Sequence, residues 1–282
     1  MTAAPAEEGR AASRTALGVL ALRAAHRVLD AEPWILDDPI ALRLLDPGAE
    51  TRLSSDPRLQ APLARALRAH VLLRSRVAEE AFQEAAAAGL RQAVLLGAGF
   101  DTFAYRQPDW ASGLRLFEVD HPASQAEKLR RVAEAGLPAP PNLVHAPVDF
   151  ESIPLAEGLA RAGFDASEPA CFSWLGVTMY LTLPAIRAVL SFIGGLPAGT
   201  RILFTFAQPA EEGDGRLADL AAEAGEPWLT RFTAEELAEE LRAAGFRRWD
   251  IPRAEDLAAR YFQDRPDGLP APRRSSLALA EV

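Results

Sequence analysis

Residues Gln92–Arg106 read QAVLLGAGFDTFAYR, and the order of features in this stretch decides the fold class. The run Ala93-Val94-Leu95-Leu96 is short and apolar throughout, as a central parallel strand requires when both of its faces are buried. It ends in Gly97-Ala98-Gly99. Two glycines one residue apart let the backbone turn sharply and lie close to a ligand. Downstream, Phe117-Glu118-Val119-Asp120 closes a second chain segment. Asp120 stands about 20 residues past the glycines, the spacing at which a strand-end carboxylate reaches ribose hydroxyls. A strand, a glycine turn and a second strand ending in an acid form a nucleoside-binding arrangement.

Glycine pairs alone are common in structural turns, so the choice of nucleoside rests on what surrounds them. A dinucleotide fingerprint needs a third glycine three residues after Gly99. That position is Thr102, and no Tyr-x-x-x-Lys pair is present, so a dehydrogenase is disfavoured. S-adenosylmethionine has no pyrophosphate to cradle and suits a two-glycine turn followed by an acid.

The 282 residues suffice for one large or two modest domains, and 49% hydrophobic with 24% charged residues is a globular composition. A net charge of −9 argues against a nucleic-acid partner, which would call for a basic face. Cys171 is the only cysteine, so no internal disulfide forms, in keeping with a reducing cytoplasm. No apolar run reaches the roughly 20 residues that span a bilayer. The start, MTAAPAEEGRAASR, lacks the apolar core of a signal peptide. Lys128 is the only lysine.

Along the chain, residues 1–12 have the composition of a disordered tail. Residues 13–90 pattern as a helical cap. Its first helix runs over Ser13–Asp30, a second opens at Asp38-Pro39, and a third is expected from Asp56-Pro57 to about Ala88. From 91 to 282 strands alternate with helices. Strands are expected at 92–97, 114–120, 142–148, 170–175, 201–207, 246–251 and 275–281. The 209–228 connection is polar and alanine-rich, with room for one helix. Thr233-Ala234-Glu235-Glu236 is a capping box. Alternation of this kind predicts a doubly wound α/β sheet that binds its ligand beyond the carboxyl ends of the strands. Gly97, Asp120, Asp149 and Leu175 all fall at such ends.

Five motifs in order, TALGVLALRAAH with DDPIALRLL, VLLGAGFDTFAYR, FEVDHPASQAEK, VDF and WLGVTMYLT, resemble the leucine carboxyl methyltransferase family. The likeness runs from about Ser13 to Gln208. It is closest to the bacterial branch of S-adenosylmethionine-dependent O-methyltransferases from small-molecule and polyketide pathways. The resemblance implies a class I methyltransferase (Rossmann-like) fold, with seven strands and the last one antiparallel. It also implies that Gly97, Ala98 and Gly99 pass the methionine part of the cofactor, with His121 ordering the turn after Asp120. Asp120 would bind the ribose, Asp149 and Phe150 the adenine, and Arg76 in LLRSR the cofactor carboxylate. At Leu175 the family usually has a glutamate facing the cofactor's methionine end or the acceptor.

Methyl transfer from a sulfonium asks mainly for alignment and exclusion of water. A carboxylate acceptor is already ionised at neutral pH, whereas a phenol benefits from a base. Of His26, His70, His121 and His145, His26 is the best placed to serve the acceptor, with Tyr180 as a second catalytic candidate. Arg23, Met179 and Tyr180 are candidates to touch the acceptor. No metal-ligand spacing and no GxSxG elbow is present. The expected activity is O-methylation of a small molecule, in natural-product biosynthesis, by a monomer or homodimer. The alternative is a chain that keeps the cofactor but catalyses a cyclisation or elimination, for which Leu175 is the motive. A scaffold that has lost catalysis fits the intact glycine and acid motifs least well.

Overall fold

Seven strands form one sheet in the order β3-β2-β1-β4-β5-β7-β6. They are β1 (Gln92–Leu96), β2 (Arg115–Asp120), β3 (Leu143–Pro147), β4 (Ala170–Trp174), β5 (Arg201–Thr205), β6 (Arg248–Asp250) and β7 (Leu277–Glu281). A computed structural model provides the coordinates and describes residues 13–209, 216–223 and 225–282. β1 to β5 are parallel; β7 pairs antiparallel to β5 and β6. All five residues of β1 and of β4 are buried, which is why their sequences carry no alternation. The strand order reverses between β1 and β4, so the carboxyl ends of these parallel strands open onto a crevice.

Eleven helices accompany the sheet among the described residues. They are α1 (Arg14–Leu29), α2 (Pro39–Arg43), α3 (Ala49–Ser55), α4 (Pro62–Ala87), α5 (Phe103–Arg106), α6 (Pro122–Glu134), α7 (Leu155–Arg161), α8 (Leu183–Gly194), α9 (Arg216–Glu223), α10 (Ala234–Ala244) and α11 (Ala254–Tyr261). Ser13 caps α1 by accepting from the Ala16 N–H, and Thr233 and Glu236 form the expected capping box on α10. The residues expected to form the tail, 1–12, lie outside the described residues.

The third cap helix departs from expectation. It starts at Pro62, not at Pro57. Asp56 instead caps a single 3-10 turn, Pro57–Gln60, and Ala61 before Pro62 is extended at φ −61°, ψ 146°. A proline disfavours the helical region for the residue before it, so Pro62 restarts the helix and does not continue one. The short helices α3, α5 and α11 were not expected; each is too short to show a period in sequence.

α4 belongs to the sheet's own packing. Leu72, Leu73 and Val77 pack with Leu203 and Leu277, and Phe82 and Ala85 with Ala93 and Leu95. α1 to α3 cluster around Leu20, Ile40, Leu44 and Leu53, against Phe100 of the loop after β1. The other sheet face is the largest core, with Phe117, Phe172, Trp174 and Phe204 against α7, α8 and α10. Lys128 is buried on α6 and donates to Glu118 at 2.6 Å. No described helix is long and apolar enough to cross a membrane.

Candidate active site

The crevice holds a cavity of about 310 Å³. Its floor is the glycine turn. Gly97 and Gly99 have φ of +62° and +49°, the left-handed region that side chains rarely adopt. A Cβ on Gly97 would stand 2.3 Å from Val177 Cγ2, so the turn after β1 packs its bare backbone against the Val177 side chain of the loop after β4. The Ala98 N–H donates to the Val119 carbonyl at 3.1 Å and fastens the turn to β2.

Asp120 ends β2 beside this turn. One carboxylate oxygen accepts from the Gly99 N–H and the other from the His121 N–H, the latter at 2.6 Å. Burial pushes its carboxyl above the usual range, against the pull of those two donors. Each oxygen keeps a second lone pair for a ligand hydroxyl. His121 caps α6, its Nδ1 accepting from the Ala123 N–H at 3.2 Å. Asp149 follows β3 and shapes its own loop, accepting from the Glu151 N–H at 3.1 Å and the Ser152 hydroxyl at 3.0 Å. Phe150 lines the cavity with its ring 6.1 Å from that of Trp174. Gly97, Ala98, Gly99, Asp120, His121, Asp149, Phe150 and Leu175 therefore converge on one space, joined by Tyr180 and Arg23.

Three expected site residues do not belong to that space. Arg76 sits on the outer side of α4, 47% exposed, and donates to Glu80 at 2.7 Å. Arg74 lines the cavity in its place. Its guanidinium lies against Gly176, whose Cβ would come within 2.6 Å of Nη1, and its Nε is buried without a hydrogen-bond partner. Burial lowers its pKa to about 10, and the remaining influences are too weak to restore it. His26 is fully buried and faces away from the cavity. Its Nε2 accepts from the Ile35 N–H at 3.1 Å, which places the proton on Nδ1, bonded to Asp30 at 2.8 Å. Arg68 holds the same carboxylate through two bonds of 2.7 Å. His26 thus fastens α1 to the segment after it and has no path to an acceptor. Met179 is buried outside the cavity, and its carbonyl accepts from the Leu229 N–H at 2.7 Å.

Arg23 lines the cavity, with three of its five N–H donors engaged inside the protein. It donates to Asp38 at 2.8 Å, Asp101 at 2.6 Å and Thr102 at 2.9 Å. Burial opposes its charge, and Asp38 and Asp101 outweigh that cost and raise its pKa. Arg23 ties α1 to the loop after β1. Several lining residues were not singled out in the sequence. They are Ser13, Thr15 and Val19 of the first helix and its cap, Asp101 after the turn, and Glu226 and Leu229 from the far side. An acid directly behind a glycine turn was the one readable signal among them. Among the described residues no group of three metal-ligating side chains converges.

The leucine carboxyl methyltransferase family matches residues 16–194. The chain belongs to this family. Of its relatives, the S-adenosyl-L-methionine-dependent methyltransferase named YktD, of Bacillus subtilis strain 168, is 32% identical over 208 residues, covering 71% of this chain and 68% of its own. A protein of Mycobacterium avium strain 104, also named as an S-adenosyl-L-methionine-dependent methyltransferase, is 32% identical over 286 residues, covering 90% and 89%. The fold is shared with a DUF574 family protein from Streptomyces avermitilis at TM-score 0.59 and 18% identity, covering 96% of this chain and 97% of that one. A protein from Thermobifida fusca, titled as a methyltransferase, superposes at TM-score 0.58 and 19% identity, covering 92% and 93%. This leucine carboxyl methyltransferase family member is an S-adenosylmethionine-dependent methyltransferase with the class I fold. The residues fit that cofactor: the glycine turn leaves backbone approach open, Asp120 faces the cavity, and the Arg74 guanidinium lines it with its Nε unpaired.

Proposed function

We propose that this chain methylates an oxygen of a small-molecule acceptor, with the cofactor lying along the glycine turn. The observation that carries the reading is Arg74. A half-buried guanidinium that faces a cavity with its Nε enclosed and unpaired costs free energy in the ligand-free protein, and a ligand carboxylate offsets that cost. Bound S-adenosylmethionine supplies an electrophilic methyl group on a sulfonium. In this reading Arg74 donates to the cofactor carboxylate, Asp120 accepts from the ribose hydroxyls, and Asp149 accepts from the adenine amine beside the Phe150 ring. Gly97 and Gly99 let the backbone approach.

The remaining walls support an acceptor of small size and low polarity. Val19, Leu175, Val177, Leu181 and Leu229 line one part of the cavity, beside Tyr180 and Glu226. These side chains exclude water and hold the acceptor oxygen in line. With His26 turned away and Arg23 engaged, an acceptor oxygen that is already ionised, such as a carboxylate, suits the site best. The setting is natural-product biosynthesis in the cytoplasm.

Incubation with S-adenosylmethionine and a panel of small carboxylic acids and phenols tests this by product mass. The expected result is a gain of one methyl group, largest for carboxylic acids. An unchanged or dehydrated mass, with cofactor bound, would instead favour the second reading, a cyclisation or elimination motivated by the apolar Leu175. For the ribose contact, Asp120→Ala is expected to weaken S-adenosylhomocysteine binding by more than about tenfold; calorimetry showing unchanged affinity contradicts that assignment.

A further inference from the structure

Two groups of opposite charge face this cavity, one from a helix and one from a loop. Arg74 reaches it from α4 beneath Gly176, and Asp101 from the segment just after the glycine turn. Asp101 is 18% exposed, whereas its neighbour Asp38 is fully enclosed. One Asp101 oxygen accepts from Arg23 at 2.6 Å and the other from the Phe103 N–H at 2.8 Å. A carboxylate offers about four lone-pair sites, so about two are left for a ligand. Leu175, which also lines the cavity, offers no charge.

We propose that Arg74 and Asp101 form a two-point clamp for an α-ammonium carboxylate, the amino-acid end of the cofactor, with Asp101 taking the ammonium. The inference rests on the cofactor lying in this cavity as described above. Opposite charges lining one cavity recognise a zwitterion and disfavour a ligand that carries only one of its charges. Arg23 is a positioning residue here: it and Arg106 overcome burial and hold the Asp101 carboxyl at about 2, ionised throughout the neutral range. Asp101 also acts on the Arg74 charge, so the two sense each other across the site.

A crystal structure of the protein with S-adenosylhomocysteine tests the contact directly. The ammonium nitrogen is expected about 3 Å from an Asp101 oxygen; an ammonium held only by backbone carbonyls overturns the proposal. In solution, Asp101→Asn and wild type are titrated calorimetrically with S-adenosylhomocysteine, its desamino analogue and 5′-methylthioadenosine. The variant is expected to lose at least about tenfold for S-adenosylhomocysteine and under twofold for the other two. Equal losses on all three overturn the clamp and leave Asp101 a structural role. Should the variant bind nothing because it does not fold, the crystal contact decides. Wild type failing to bind all three would refute the cofactor's place in this cavity, a separate outcome.

Discussion

Replacing Arg74 by methionine is expected to weaken S-adenosylhomocysteine binding by roughly 10- to 100-fold while leaving the ligand-free protein as stable as before, or more so by about 1 kcal/mol. The two signs have one cause. In the free protein the guanidinium is lodged against Gly176 with its Nε unpaired, and burial has already lowered its pKa to about 10. Methionine keeps much of the volume and removes the buried charge. With ligand present, that charge is what the ligand carboxylate pairs with. A merely structural arginine would give the opposite pattern, lost stability with affinity preserved. Arg76→Ala is the control, because Arg76 faces solvent and pairs with Glu80. Its affinity change is expected to stay within twofold. Thermal unfolding and calorimetry on both variants check the prediction.

Asp38→Ala is expected to cost about 3–5 kcal/mol of folding stability, the largest effect of any single substitution considered for the cap. Asp38 is fully buried and accepts from Arg23 at 2.8 Å, the Thr102 hydroxyl at 2.7 Å and the Ala41 N–H at 3.0 Å, with Arg106 at 3.5 Å. Alanine removes the N-cap of α2 and takes one of two carboxylates from the buried Arg23 guanidinium. For a chain of this size the melting temperature should fall by roughly 10 °C. Burial raises the Asp38 carboxyl, but Arg23 and Arg106 outweigh it and hold the pKa below the ordinary value. A depressed folded-state pKa gives stability that is complete above the unfolded value, near about 4, and is lost as pH falls through the folded one. The gap between wild type and Asp38→Ala should therefore be constant from pH 5 to 8 and narrow only in strong acid. A gap under 1 kcal/mol at neutral pH contradicts the account of how the cap is fastened.

The sheet was legible because its strands are short apolar runs that end in glycine or acid, and burial of both faces leaves no other use for such runs. All seven lie within two residues of their expected starts. The carboxyl-end residues were legible for the same reason, since position at a strand end is a property of sequence order. What could not be read was rotation and pairing. Arg74 and Arg76 are two residues apart on α4, about 200° of turn, so LLRSR puts one arginine in the cavity and one in solvent without saying which. His26 and Arg23 looked available because their partners, Ile35, Asp38 and Asp101, lie outside their own helix and meet them only after folding. The start of α4 was misread because Pro57 and Pro62 both carry the first-turn signature, and only the extended Ala61 separates them.

The most direct test of the central claim, that the cavity over the Gly97–Gly99 turn is the cofactor site, is a calorimetric titration of the wild-type protein with S-adenosylhomocysteine, alone and after Gly97→Val. Wild type is expected to bind at a single saturable site. The variant, whose side chain would collide with Val177 from a left-handed backbone, should show no binding while its sheet stays folded by circular dichroism. Equal binding by both proteins would place the cofactor elsewhere and contradict the account.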